Sequence, residues 1–154
     1  MKVFHKKCLL LGFLSLYLSI GASAQDSTTQ NRGELSTLSI AFKGKLRSQG
    51  ALMVALYNRD EVFLKEPTLG KRFPVMELVN QQVFIDSLAI GQQYGIAVFH
   101  DLNDNYELDV NLFGYPTEPF AFGNNAQGFF GPPNFNAASV TINATDNVTV
   151  ITLE

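Results

Sequence analysis

Beyond Cys8 the chain has no cysteine, it has no tryptophan at all, and after Arg72 it has neither lysine nor arginine. Each absence removes a class of chemistry. Without thiols in the body of the chain there are no disulfides, no thiolate metal ligands and no cysteine nucleophile, so a domain built from it relies on its own core and, at most, a bound ion. His100 is the only histidine beyond His5. Any Ser-His-Asp arrangement must use it, and no Gly-x-Ser-x-Gly elbow is present to partner it. From Phe73 to Glu154 nine acids stand against no cation, whereas residues 25–72 carry eight cations against five acids. The carboxyl-terminal half is therefore no partner for nucleic acid, and its carboxylates find no Lys or Arg in nearby sequence.

What is present begins with a leader. Lys2, Lys6 and Lys7 precede the apolar run "CLLLGFLSLYLSIG", and Ala22 and Ala24 follow as the small residues of a cleavage site. This predicts a signal peptide over 1–24, removed after Ala24, and export across the inner membrane to the periplasm or the exterior, with no transmembrane segment after cleavage. The run is shorter than the roughly 18–20 residues a spanning helix needs. Residues 25–35 are polar and aperiodic at first, a flexible lead-in; residues 36–154 suffice for a single domain.

That domain reads as all-β. "LSIAFKG" alternates Leu38, Ile40 and Phe42 with Ser39, Ala41 and Lys43, the period of a half-buried strand. "ALMVALYN" is apolar on both faces and should be central. "VFIDSLAIGQQYGIAVFH" gives a strand to Leu88, a turn through Gly91, and a strand from Tyr94 to His100. Ser139 to Asn143 and Val148 to Leu153 give two more, expected to form a hairpin through residues 144–147. Pro67 and Pro74 confine the segment around them to an edge strand or loop. The fold expected is an antiparallel β-sandwich of the transthyretin or immunoglobulin kind, and the passage Leu88, Gly91, Tyr94, Ile96, Val98 resembles the strand-turn-strand of transthyretin-like modules. One long ordered loop rich in Gly, Pro and aromatics should interrupt it.

That loop follows His100 and is where the chemistry concentrates. It holds eight of the fifteen aromatics beyond the leader and four of the six prolines, a composition unlike a disordered linker. "DLNDNYELD" places Asp101, Asn103, Asn105 and Asp109 at alternate positions of a calcium-loop register, with the Glu107 carbonyl and the Glu118 carboxylate able to complete an oxygen shell. Hard Ca²⁺ takes six to eight oxygens, and residues two apart in a curled loop can turn them inward together. Tyr106 stands where an EF-hand has its turn glycine and Leu112 where it has its bidentate glutamate, so the site expected is a weak one. The bland counterpart is a polar turn whose Asp and Asn cap their own backbone.

Tyr106, Tyr115, Asn124 and Asn125 are candidate ligand-binding residues, with the two asparagines also natural turn formers. A Phe-rich loop, by contrast, tends to make its own small core. Asp101 with Glu118, assisted by His100, could form a carboxylate pair of the glycosidase kind. His100 shares a strand face with Tyr94, Ile96 and Val98, which favours a core or rim histidine over a catalytic one.

The run "YGIAVFHDLNDNYELDVNLFGYPTEPFAFGNNAQGFFGPPNFNAASVTI" closely resembles the secreted bacterial family catalogued as domain of unknown function 2141. The resemblance is carried by His100 and Asp101, Asn103, Asn105, Asp109, the Gly114-x-Pro116-x-Glu118-Pro119 segment, Phe122, Asn124 and Asn125, and Gly131-Pro132-Pro133-x-Phe135. It implies an exported β domain and implies no reaction. Tyr106 departs from the family's glycine, and Gly123 from a frequent serine, which removes a nucleophile there. The function expected is a secreted, non-enzymatic module with a weak Ca²⁺-organised loop that binds a protein or polysaccharide of the cell envelope; the alternative is an exported hydrolase using Asp101 and Glu118.

Overall fold

A computed structural model describes residues 33–44 and 46–153. The expected signal peptide and most of the lead-in lie outside the described residues. Among those described, no helix is long and apolar enough to cross a membrane.

Two sheets face each other. The small sheet is ordered β4-β1-β8, from β1 (Leu35–Lys43), β4 (Gln82–Ala89) and β8 (Val148–Thr152). The large sheet runs β3-β2-β5-β6, from β2 (Ala51–Tyr57), β3 (Leu69–Pro74), β5 (Gln93–Asp101) and β6 (Phe120–Phe122), with β7 (Ser139–Thr141) also pairing with β5. Alternation makes the core. Leu38, Ile40 and Phe42 of β1, Val83, Ile85 and Leu88 of β4, and Ile151 of β8 meet Leu52, Val54 and Leu56 of β2 and Ile96 and Val98 of β5. The Pro74 segment is an edge strand, β3, as its prolines require.

Three features differ from the sequence-based expectation. The last two strands are not a hairpin: β7 joins β5 in the large sheet, while β8 crosses to the small sheet and pairs with β1 in parallel. Turn chemistry at 144–147 was legible, but the Asn147 side chain diverts it, accepting from Asn143 N–H and donating to Thr37 O and Ser36 Oγ of β1. Short 3₁₀ turns occur at Asp60–Val62 and Val75–Glu77 as well as inside the long loop at Gly123–Asn125. And the loop contains a strand, β6, too short to register as a period.

β2 is apolar on both faces because both are covered. Its inner face joins the sandwich core; its outer face bears Ala55 and Tyr57 under a second cluster, Tyr57, Phe63, Phe135 and Ala138. Phe63 meets Tyr57 and Phe135 edge to face, with centroids 5.2 and 5.8 Å apart. Gly95 of β5 makes room for this layer, since a Cβ there would lie 2.8 Å from the Phe135 ring. The long loop is thus wound across the outer face of the large sheet.

Candidate functional site

Residues 102–119 leave β5 and return to it. Phe120, Ala121 and Phe122 pair with Phe99, Val98 and Ala97, and His100 N–H donates to Pro119 O at 2.8 Å. After the 3₁₀ turn, residues 126–138 make a second excursion before β7 rejoins the same edge of β5. The loop therefore has two arms anchored on one strand.

The first arm is closed by its carboxylates. Asp101 is fully buried (0 %); its Oδ1 accepts Asn105 N–H at 3.2 Å and its Oδ2 accepts Tyr106 N–H at 2.9 Å. Glu118, also buried, accepts Leu102 N–H at 2.7 Å on Oε1 and Asp109 N–H at 3.2 Å on Oε2. All four carboxylate oxygens thus accept backbone N–H groups, and Glu118 ties the start of the arm to its middle. Between these clasps Asn103 and Asn105 accept the N–H groups of Asn105 and Glu107 through Oδ1. Their Nδ2 groups donate to Asp109 at 2.8 and 3.1 Å. These are the Asx turns that Asp and Asn favour.

The proposed metal ligands Asp101, Asn103, Asn105, Asp109 and Glu118 are therefore brought into one hydrogen-bonded network. Glu107 joins it through its N–H and otherwise stands exposed. Among the described residues no group of three or more His, Cys, Asp or Glu gathers at metal-binding distance. Tyr106, in place of the family's glycine, takes the left-handed backbone at φ 67°, a strain of about 1–2 kcal/mol for a residue other than glycine. Its N–H bond to Asp101 and the Arg72 guanidinium 5.5 Å above its ring hold it there.

Arg72 supplies a cation that nearby sequence does not. It reaches Asp104 at 2.5 Å, so the cation-poor half does find a partner, from β3. That hydrogen bond raises the guanidinium further above its already high pKa. The register Arg72–Met53–Phe99 places Arg72 on the outer face of the sheet, the face Asp101 occupies. Only the strand register carries that signal, and it was not available from spacing alone.

His100 lies in the sandwich with Tyr94, Ile96 and Val98, fully buried (0 %). Its Nε2 is 2.9 Å from Gln49 O, so that nitrogen carries the proton; Nδ1 has no hydrogen-bond partner among the described residues. Gln49 in turn donates to Leu102 O, and Gly50 at φ 71° lets the 48–50 segment lie against Asp101, whose carbonyl oxygen would be 1.9 Å from any Cβ there. This strap was missed because nothing in "RSQG" distinguishes it from an ordinary turn.

Asn124 and Asn125 both adopt positive φ. Asn124 Nδ2 donates to Ser139 O at 2.7 Å and Ala137 O at 3.2 Å, and Asn125 bonds the backbone of β8. Their amides tie the 3₁₀ turn to both sheets.

The aromatics divide. Phe135 is buried and Phe120 and Phe122 are half-buried, but Leu112 (101 %), Phe113 (95 %), Phe129 (92 %) and Phe130 (96 %) stand in solvent. The loop is therefore only partly its own core. Leu112 and Phe113 cap a rigid turn in which Asn111 Oδ1 accepts both Phe113 and Tyr115 N–H, and Phe129 and Phe130 pack edge to face at 4.7 Å. Between the arms runs a groove of ≈ 1550 Å³, floored by Ala55, Ala97 and Phe122 and walled by Tyr115, Pro116 and Phe129. Tyr115 leans on Phe120 at 6.4 Å.

The sequence profile of a bacterial family described as uncharacterized proteins conserved in bacteria, DUF2141, matches residues 40–151. The chain belongs to DUF2141. The match spans both sheets and both loop arms, so clasp and groove lie within the family's own domain. No curated protein and no solved structure matches this DUF2141 chain.

Proposed function

We propose that this chain is an exported, non-enzymatic binding module of the cell envelope, whose two-armed loop receives a protein partner on its exposed apolar side chains, beside the groove over the large sheet. One observation carries the reading: the groups able to do chemistry are turned into the loop's backbone, while Leu112, Phe113, Phe129 and Phe130 are turned out to solvent. Exposed apolar clusters of this kind mark interaction sites. Leucine and phenylalanine lack the polar edges with which a carbohydrate platform meets hydroxyls, and the absence of Lys and Arg after Arg72 argues against polyanionic wall polymers. An apolar polypeptide, neutral or cationic, fits best.

Ca²⁺ is proposed as a weak ligand of the first arm, through Asp101, Asn103, Asn105, the Glu107 carbonyl, Asp109 and Glu118. The carbonyl and carboxylate oxygens that accept one N–H keep a second lone pair, and binding would turn the Asn103 and Asn105 amides away from Asp109. The hydrolase alternative, through Asp101 and Glu118, draws no support from carboxylates whose oxygens all accept backbone N–H groups.

The test uses the folded protein with three probes: the apolar dye anilinonaphthalene sulfonate, a synthetic peptide of alternating leucine and lysine, and isolated cell-wall polysaccharide. The peptide is expected to bind and displace the dye, and the polysaccharide to do neither. Serine at positions 112, 113, 129 and 130 should abolish both bindings with the melting temperature unchanged, since exposed side chains contribute little to stability. Binding that survives the four substitutions, or polysaccharide binding in place of peptide binding, overturns the reading.

A further inference from the structure

The last strand, β8, is an edge of the small sheet. Its parallel register turns Asn147 and Leu153 toward β1, where Ser39 N–H donates to Asn147 O at 2.8 Å and Leu153 N–H donates to Lys43 O at 3.1 Å. The backbone groups of the alternate residues Val148, Val150 and Thr152 therefore point away from β1, toward an edge that no strand among the described residues covers. In a parallel ladder, one residue donates its N–H to a carbonyl on its neighbour and accepts from the N–H two residues further along. Asn125 makes this pair of bonds with its side chain. Its Nδ2 donates to Val150 O at 3.0 Å, and its Oδ1 accepts Thr152 N–H at 2.7 Å. A primary amide here stands in for the N–H and C=O of one residue of a missing strand.

The composition of β8 gives a second, independent reason to notice this. "VTVIT" is β-branched at all five positions and uncharged, the kind of segment that pairs readily with other strands. The other edges are protected by ordinary means: β3 carries Lys71, Arg72 and Pro74, β4 carries Asp86 beside Ser87 at φ 64°, and β6 and β7 are only three residues long each. β8 has no charge, proline or bulge, and Val148 and Val150 are exposed beside its free edge.

We infer that Asn125 is an edge guard: β8 is a strand-docking edge whose occupant, once the Asn125 amide is withdrawn, is a β-strand of a second copy of this chain. This inference is independent of the groove and of any ion.

Glycine substitutions test it, because residues 124 and 125 both have positive φ and glycine removes the amide without straining the backbone. Asn125→Gly is expected to sediment as concentration-dependent dimers and larger species while keeping its β circular dichroism, whereas the wild type stays monomeric. Adding Val150→Lys should return it to monomer, a charge replacing the amide as the guard. Asn124→Gly, which loses the bonds to Ala137 and Ser139 but leaves β8 covered, should be less stable and remain monomeric. If Asn125→Gly does not fold, Asn125→Ser, too short to reach both backbone groups, takes its place in the same comparison. A monomeric folded variant at position 125, or equal association of Asn124→Gly, overturns the inference.

Discussion

At the scale of single residues, burial has turned ionisable groups into structure. Glu118 stabilises the first arm because its two oxygens satisfy two N–H groups that would otherwise go unpaired; hydrogen bonds to a charged acceptor are worth about 1.5–3 kcal/mol each. Tyr57 shows the same principle through pH. Its phenol is buried under the second aromatic cluster, and desolvation raises its pKa above the ordinary value near 10. In the folded state it holds its proton to higher pH than in the unfolded chain, so its contribution is complete below pH 10 and is lost as pH rises through the folded value. Tyr57→Phe should therefore flatten the alkaline limb of a stability-versus-pH curve from urea denaturation while changing stability little at neutral pH. An alkaline limb identical in both proteins would contradict the assignment.

At the scale of elements, the strands were legible wherever a period of two survived. β1 alternates, β2 is apolar on both faces because both are covered, and β5 carries His100 on its inner face as the pattern around Tyr94, Ile96 and Val98 required. Partnership was not legible: the run before Asn147 looks like a hairpin turn, and a side-chain bond to Thr37 and Ser36 sends β8 to the other sheet. The loop's network was readable as Asx chemistry, its partner Arg72 was not, and its exposed phenylalanines looked like a private core. For this element the proposed Ca²⁺ makes a definite prediction. An ion that binds only the native state adds about 1.4 kcal/mol at ten times its Kd, enough to raise the melting temperature by several degrees. Calorimetry in calcium, magnesium and chelator should show this rise with calcium, less with magnesium, and none in Asp109→Ala. Superimposed melting curves would leave the arm a polar turn alone.

At the scale of the whole molecule, the sandwich serves as a platform and the loop as the surface it presents. The core of the two inner faces is independent of the loop's polar network, so the first arm can be weakened while the sandwich persists, and local opening is the motion to expect. The central claim is that Asp101 and Glu118 hold the first arm by accepting backbone N–H groups rather than by doing chemistry. Amide hydrogen exchange followed residue by residue in chelator-treated protein tests it most directly. Leu102, Asn105, Tyr106 and Asp109 are predicted to be protected well beyond the exposed turn residues around them. Glu118→Ala should release Leu102 and Asp109 while the amides of β2 and β5 stay protected. Exchange of these four amides at unstructured-peptide rates in the unsubstituted protein would contradict the account.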